Sequence, residues 1–214
     1  REAKITAAMK LPTSDALTAE TEAVILDLDG TIYDKRHLPA HLIARNILWL
    51  SVLSAEQKTR KAMRGMYLGS KGAFYTEFFR RMAQGRSFTP AVARWWYFHK
   101  YMPSMVSTLK RYYRPRAWFS AFLSECRNRH LRVVVYSDYG FVDEKLLALG
   151  LHADMFDFVV SAPSLGGLKP SKECAEEIAK RLNIPPAHCL FVGDRDDTDG
   201  ASARAIGAKF YQVE

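Results

Sequence analysis

The hydrophobic pattern opens with a short strand-like run. Residues 23–28 are apolar apart from Asp27 and break into Asp27-Leu28-Asp29-Gly30-Thr31. A buried strand entering a tight turn is the natural reading. The pattern then turns helical and stays helical to about residue 112. Pro39 suits the first position of a helix that carries Ile43, Ile47, Leu48 and Leu50. Ser54, with Gln57 three residues on, reads as a capping box for the next helix. Gly69 and Gly72 bracket a loop, and Phe74, Phe78 and Phe79 then recur at helical spacing up to Gly85. Thr89-Pro90 reads as the cap and first position of a further helix, and Pro103 breaks or restarts the chain.

After Pro115 the reading alternates. A helix is expected over about 116–129, a Val-rich strand over 131–136 and a helix over about 141–149 stopped by Gly150. A strand at 158–160, a helix at 171–182, a strand at 189–192, a helix at about 198–206 and a strand at 209–213 complete the chain. Short apolar strands alternating with helices predict an α/β fold, with a doubly wound parallel-sheet (Rossmann-like) core. An all-helical segment is inserted between the first and second strands. The expected division is a polar, poorly patterned extension at 1–21, a core at 22–35 and 116–214, and a helical insert at 36–115.

Charge sharpens that division. The 214 residues carry a net +8. Residues 35–116 hold 17 Lys and Arg against two acids, Glu56 and Glu77, a net of +15; the rest holds 14 against 21, a net of −7. The same middle segment has 14 of the 26 aromatics. A solvated helical face accounts for many of these positives, but such faces usually mix signs. The block could focus an anionic substrate, hold nucleic acid or touch anionic lipid. The three cysteines, Cys126, Cys174 and Cys189, show no CxxC or His-paired spacing. They fit a reducing compartment, so a cytoplasmic location is expected and a disulfide scaffold or zinc finger is not. No run of 18 apolar residues exists, so no membrane partner is expected.

Ligands of open α/β sheets bind beyond the carboxyl ends of the strands. The first strand ends at Asp27 with Asp29 two residues on, the second at Ser137, and the fourth at Gly193-Asp194, followed by Asp196, Asp197 and Asp199. Lys169, after the third strand, can reach the same rim. Clustered carboxylates repel unless a cation neutralises them, and hard oxygen donors favour Mg²⁺ with a phosphate oxygen. Ser137 and Lys169 would bind the remaining phosphoryl oxygens, and Asp27 could attack phosphorus.

These residues resemble the haloacid dehalogenase-like hydrolase superfamily of aspartate-nucleophile phosphatases. Its motifs stand in order as Val24-Ile25-Leu26-Asp27-Leu28-Asp29-Gly30-Thr31, Val134-Val135-Tyr136-Ser137, Lys169-Pro170, and Val192-Gly193-Asp194 with Asp199. The resemblance covers about 23–34 and 116–214, and it makes the insert a cap of the type placed between the first two motifs. It implies Asp27 as nucleophile, Asp29 as general acid and base, and Ser137 and Lys169 as phosphoryl-binding groups. It implies Mg²⁺ on Asp27, the Asp29 backbone carbonyl and Asp194, with Asp199 acting through water or orienting Lys169. An acid at Asp29 favours phosphoryl transfer, because a halide leaving group needs no proton. Asp138 departs from the Asn common in relatives, and an acid there is expected to point away from phosphate.

Other signals take a plainer reading. Asp196 and Asp197 suit a helix N-terminus, Trp95-Trp96-Tyr97-Phe98 suits a helical core with an exposed edge, and His188 and Cys189 are structural. Lys71, between Gly69 and Gly72, is the expected reach of the insert toward substrate. The sequence thus reads as a Mg²⁺-dependent phosphatase acting on a small phosphorylated substrate. A phosphomutase or other phosphotransferase on the same core is the alternative, and a nucleic-acid-binding protein using the basic insert stands behind both.

Overall fold

The computed structural model describes residues 16–213. Five strands, β1 (Ala23–Leu26), β2 (Arg132–Ser137), β3 (Phe158–Ser161), β4 (Cys189–Gly193) and β5 (Lys209–Gln212), pair in parallel in the order β3-β2-β1-β4-β5. The chain steps outward from β1 to β3, then crosses back to β4 beside β1. The carboxyl ends of β1, β2 and β4 therefore lie together, with Leu26 level with Val135 on one side and Val192 on the other.

Both sheet faces are covered, which is why β1 reads as an unbroken apolar run. Val24, Leu26, Val133, Val135, Leu190 and Val192 face one layer, with α6 (Phe119–Asn128) and α7 (Val142–Ala148). Ile25, Val134, Tyr136 and Phe191 face the other, with α9 (Lys172–Leu182) and α10 (Ala201–Ile206). The short α8 (Ala162–Leu165) follows β3 directly. Ser171 caps α9, its hydroxyl accepting from the Cys174 amide, and Gly150 takes a positive φ of 79° where the chain leaves α7.

Between β1 and β2 run α1 (Leu38–Arg45), α2 (Leu50–Ala62), α3 (Lys71–Ala83), α4 (Pro90–Trp96) and α5 (Met102–Tyr112). Their core is largely aromatic. Phe74 stacks on Phe78 at 5.6 Å and Trp96 on Tyr101 at 4.9 Å, while Trp95 keeps an exposed edge. Thr89 caps α4 and Pro90 opens it, as the spacing predicts. A π turn over Tyr97–Tyr101 joins α4 to α5, and Pro103 sits in the first turn of α5, where its missing N–H is tolerated.

Three local expectations are corrected. Ser54 caps nothing: it lies inside α2, which begins at Leu50 after a 3₁₀ turn over Ile47–Trp49. α3, by contrast, is capped by Ser70, whose hydroxyl accepts from the Ala73 amide, so Gly72 lies within α3 and not in a loop. Of the expected N-terminal extension, residues 1–15 lie outside the described residues. Leu17 and Thr21 are buried, and the Leu17 carbonyl accepts from Arg129 at 2.7 Å.

The insert also grips the core away from its two junctions. Tyr67 and Gly167 form an antiparallel bridge; the Leu68 amide donates to the Gly166 carbonyl at 2.7 Å and the Leu168 amide to the Met66 carbonyl at 3.1 Å. The Gly65 amide reaches the Lys169 carbonyl at 3.3 Å. Arg60 donates to the Asp138 carbonyl at 2.8 Å and lies 4.0 Å over the Tyr139 ring, and Arg64 pairs with Asp197 at 2.8 Å. Among the described residues, no single helix is long and apolar enough to cross a membrane. The stretches Leu38–Arg45 and Ile47–Ala62 pass that test only as a pair bent by 82°.

Candidate active site

The carboxyl ends of β1, β2 and β4 bring Asp27, Asp29, Ser137 and Asp194 to one rim, and the loop after α8 adds Lys169. Asp27 is buried, with both carboxylate oxygens engaged. Thr31 donates to Oδ2 at 2.9 Å and Lys169 Nζ to Oδ1 at 2.8 Å. Lys169 Nζ also donates to Asp199 Oδ1 at 2.8 Å and is itself buried. Burial opposes a charge on Lys169, but Asp199, Asp27 and Asp138 outweigh it and raise its pKa, so it is a fixed cation. Burial in turn pushes the Asp199 carboxyl up to about 7, against the pull of Lys169. Asp199 thus contacts Lys169 directly, with no intervening group.

Asp29 is held on both carboxylate oxygens. Oδ2 accepts from Lys145 Nζ at 2.5 Å and from Ser137 Oγ at 2.8 Å, and Oδ1 accepts from Tyr33 at 2.7 Å. Burial alone would raise the Asp29 carboxyl, but the adjacent Lys145 ammonium and the hydrogen bonds from Tyr33 and Ser137 hold it below its ordinary value. Ser137 is thereby tied to Asp29 and to Lys145, 3.1 Å away.

Carboxylate oxygens of Asp27, Asp194 and Asp199 lie within 4.8 Å of one another. The Lys35 ammonium sits among these acids, 2.6 Å from Asp194 Oδ2 and 2.7 Å from the Asp29 carbonyl oxygen. It stands where a bound cation would meet two of its expected ligands, and every available donor is a hard oxygen, so the residues fit Mg²⁺. Gly30 makes this approach possible. It holds φ at +109°, and a Cβ there would lie 2.5 Å from Asp194 Oδ2 and 2.7 Å from Lys35.

Asp138 lines the same cavity, with its Oδ1 turned onto the Lys169 amide at 2.8 Å. It is occupied there as an acceptor and is not directed out of the site. Asp196 and Asp197 stay out of the cluster, paired with Arg204 and with Arg64 and Arg195. Lys71 does not line the cavity; it lines one cleft within the insert and another between the insert and the core.

Sequence reading passed over Thr31, Tyr33, Lys35 and Lys145. Thr31 stood within the first motif without a role. Lys145 left a usable signal: Val142, Lys145, Leu146 and Leu149 follow the i, i+3, i+4, i+7 stripe of a buried helix face, and all four are buried. A lysine on such a stripe needs a buried acid. Tyr33 and Lys35 left no comparable mark, because the turn after Gly30 has no periodicity.

A family model described as hydrolase, haloacid dehalogenase-like hydrolase, matches residues 21–207. Haloacid dehalogenase-like hydrolase domain-containing protein 3 of Xenopus laevis is 33% identical over 91 residues, which are 42% of this chain and 37% of that protein. Glyceraldehyde 3-phosphate phosphatase of Methanopyrus kandleri is 39% identical over 64 residues, 30% of this chain and 27% of that protein. The matched stretches span about a third of those relatives' own length. Among solved structures, CbbY from Rhodobacter sphaeroides in complex with phosphate superposes with a TM-score of 0.63 at 17% identity, covering 89% of this chain and 84% of that one. That likeness is one of fold.

Proposed function

The chain belongs to the haloacid dehalogenase-like hydrolases, which match it over residues 21–207, and from that premise we propose that it is a Mg²⁺-dependent phosphatase hydrolysing a small phosphomonoester through a phosphorylated Asp27. The observation that carries the reading is the pairing of two carboxylates with different tethers. Asp27 is bound by a fixed cation and a hydroxyl, and Asp29 by Lys145, Ser137 and Tyr33.

In the first step an Asp27 carboxylate oxygen attacks phosphorus and the bond to the ester oxygen breaks. Asp29, ionised in the free site, takes a proton from the monoanionic ester as it binds and passes it to the departing oxygen. In the second step a water attacks phosphorus and gives a proton to the Asp29 carboxylate. The acyl-phosphate bond breaks, freeing Asp27 and inorganic phosphate. Lys169 and Ser137 hold phosphoryl oxygens by charge and hydrogen bond, so their donors are in place before charge develops. Asp27, the Asp29 carbonyl and Asp194 would hold Mg²⁺, with Asp199 close by. That ion would neutralise phosphoryl charge beside the carboxylates. The phosphatase-named relative of Methanopyrus kandleri supports the phosphatase part of this reading.

The test is Asp27→Asn, assayed for phosphate release with Mg²⁺ present and after chelation. Turnover should fall by about 10³-fold or more in the variant, and chelation should silence the parent chain. The circular dichroism spectrum should be unchanged, because Asn keeps the shape and removes one charge from an acidic cluster. Full phosphate release by the variant would refute the mechanism.

A further inference from the structure

The cavity over Asp27 has a volume of about 280 Å³. That lies at the lower edge of the roughly 300–1,000 Å³ of sites for drug-sized ligands. Its floor is the polar rim described above. Its roof comes from the insert, through Leu38, Pro39 and Leu42 of α1, Gln57 of α2, Tyr101 of the π turn and Met105 of α5. Although the surrounding segment holds 17 Lys and Arg, no Lys, Arg, Asp or Glu of α1–α5 lines the cavity. The other core cations that line it, Lys35 and Arg195, stand beside Asp194 and Asp197 at the polar floor and belong to no roof helix.

Resting on the phosphatase reading above, we infer that the substrate is the phosphate monoester of a small, uncharged, mainly apolar alcohol. The phosphoryl group sits on the polar floor, and the alcohol it is attached to fills the space under Leu38, Leu42 and Met105. A carboxylate or second phosphate under Leu38, Leu42 and Met105 would lose its water with no cation of the roof to meet it, which is costly. A polyol would find Gln57, Tyr101, Tyr139 and Thr198 in the lining but would still lay hydroxyls against Leu38, Leu42 and Met105. An apolar group there instead covers apolar wall and gains by it.

The experiment compares kcat/KM for n-butyl phosphate, 2-phosphoglycolate and glycerol 3-phosphate on the full chain with Mg²⁺, with p-nitrophenyl phosphate as a general phosphatase reference. Butyl phosphate should exceed both others by about 100-fold. Gln57 is exposed on α2, so Gln57→Lys should fold normally. It should raise phosphoglycolate turnover relative to butyl phosphate by about tenfold. Phosphoglycolate or glycerol 3-phosphate matching or beating butyl phosphate overturns the inference and leaves the phosphatase reading standing. Release of phosphate from none of the four esters overturns both.

Discussion

Lys145 illustrates how much a single side chain can decide without standing in any motif. It is wholly buried, and its ammonium bonds both Asp29 and Ser137. Burial lowers its pKa, while Asp29 partly restores it. A buried cation of this kind is retained only with a partner, and here the partner is the proposed acid and base. Lys145→Met should therefore lower kcat by roughly 10–100-fold with KM little changed. Ser137 and Lys169 still bind the phosphoryl group, and the loss falls on the proton-handling carboxylate. Steady-state kinetics beside a thermal melt would separate this from a folding defect: an unchanged kcat would reduce Lys145 to a structural role. At this scale the sequence was most legible at the strand ends. Asp27, Asp29, Ser137, Lys169, Asp194 and Asp199 meet at one rim because parallel neighbours place their ends together. Lys35 and Tyr33 were not legible, since their positions depend on the three-dimensional path of a turn.

Elements behaved according to the strength of their local signals. The core strands and helices fall within a few residues of their expected bounds, because an apolar strand bounded by turns has few alternatives. The insert was read correctly as helical but not in its breaks. Ser54 had the spacing of a cap, yet the apolar positions Val52, Leu53 and Ala55 are buried and draw the helix start forward to Leu50. Gly166 is the instructive loop position. Its φ is +95°, and a Cβ would lie 2.5 Å from the Ser70 amide nitrogen. Gly166→Ala must force the insert and the loop before Lys169 apart. We expect a loss of more than about 1 kcal/mol in urea unfolding, together with reduced kcat, although no proposed catalytic residue is changed. Wild-type activity in a stably folded Gly166→Ala chain would show that this contact is dispensable.

For the whole molecule, the structure redistributes the meaning of the charge. Of the acids outside residues 35–116, Asp27, Asp29, Asp138, Asp194 and Asp199 gather at the strand-end rim, while others such as Glu125, Asp157 and Glu177 pair with arginines elsewhere. Of the basic part only Lys35 lines the cavity. Some of it is spent internally, Arg60 on Glu56 and Arg80 and Arg81 on Glu77. The remainder acts on a substrate only through the long-range field of a chain at +8. Raising ionic strength from about 0.01 to 0.15 M shortens the screening length from about 30 to 8 Å. Over that range kcat/KM for the anionic ester should fall by less than about tenfold, below the upper reach of a charge-lined cleft. A hundredfold fall in a salt titration would mean that the insert's cations meet the substrate directly.

The backbone strip that ties residues 65–68 to 166–169 has a consequence for timing. Those bonds end on Lys169 itself, through the Gly65 amide. Any rocking of the insert wide enough to admit a substrate must either break this strip or drag Lys169 from Asp27 and Asp199. Where the strip holds, lifting the roof would carry Lys169 with it, and the nucleophile would be without its fixed cation until the roof is seated again. Gating and arming of the nucleophile would then be a single event.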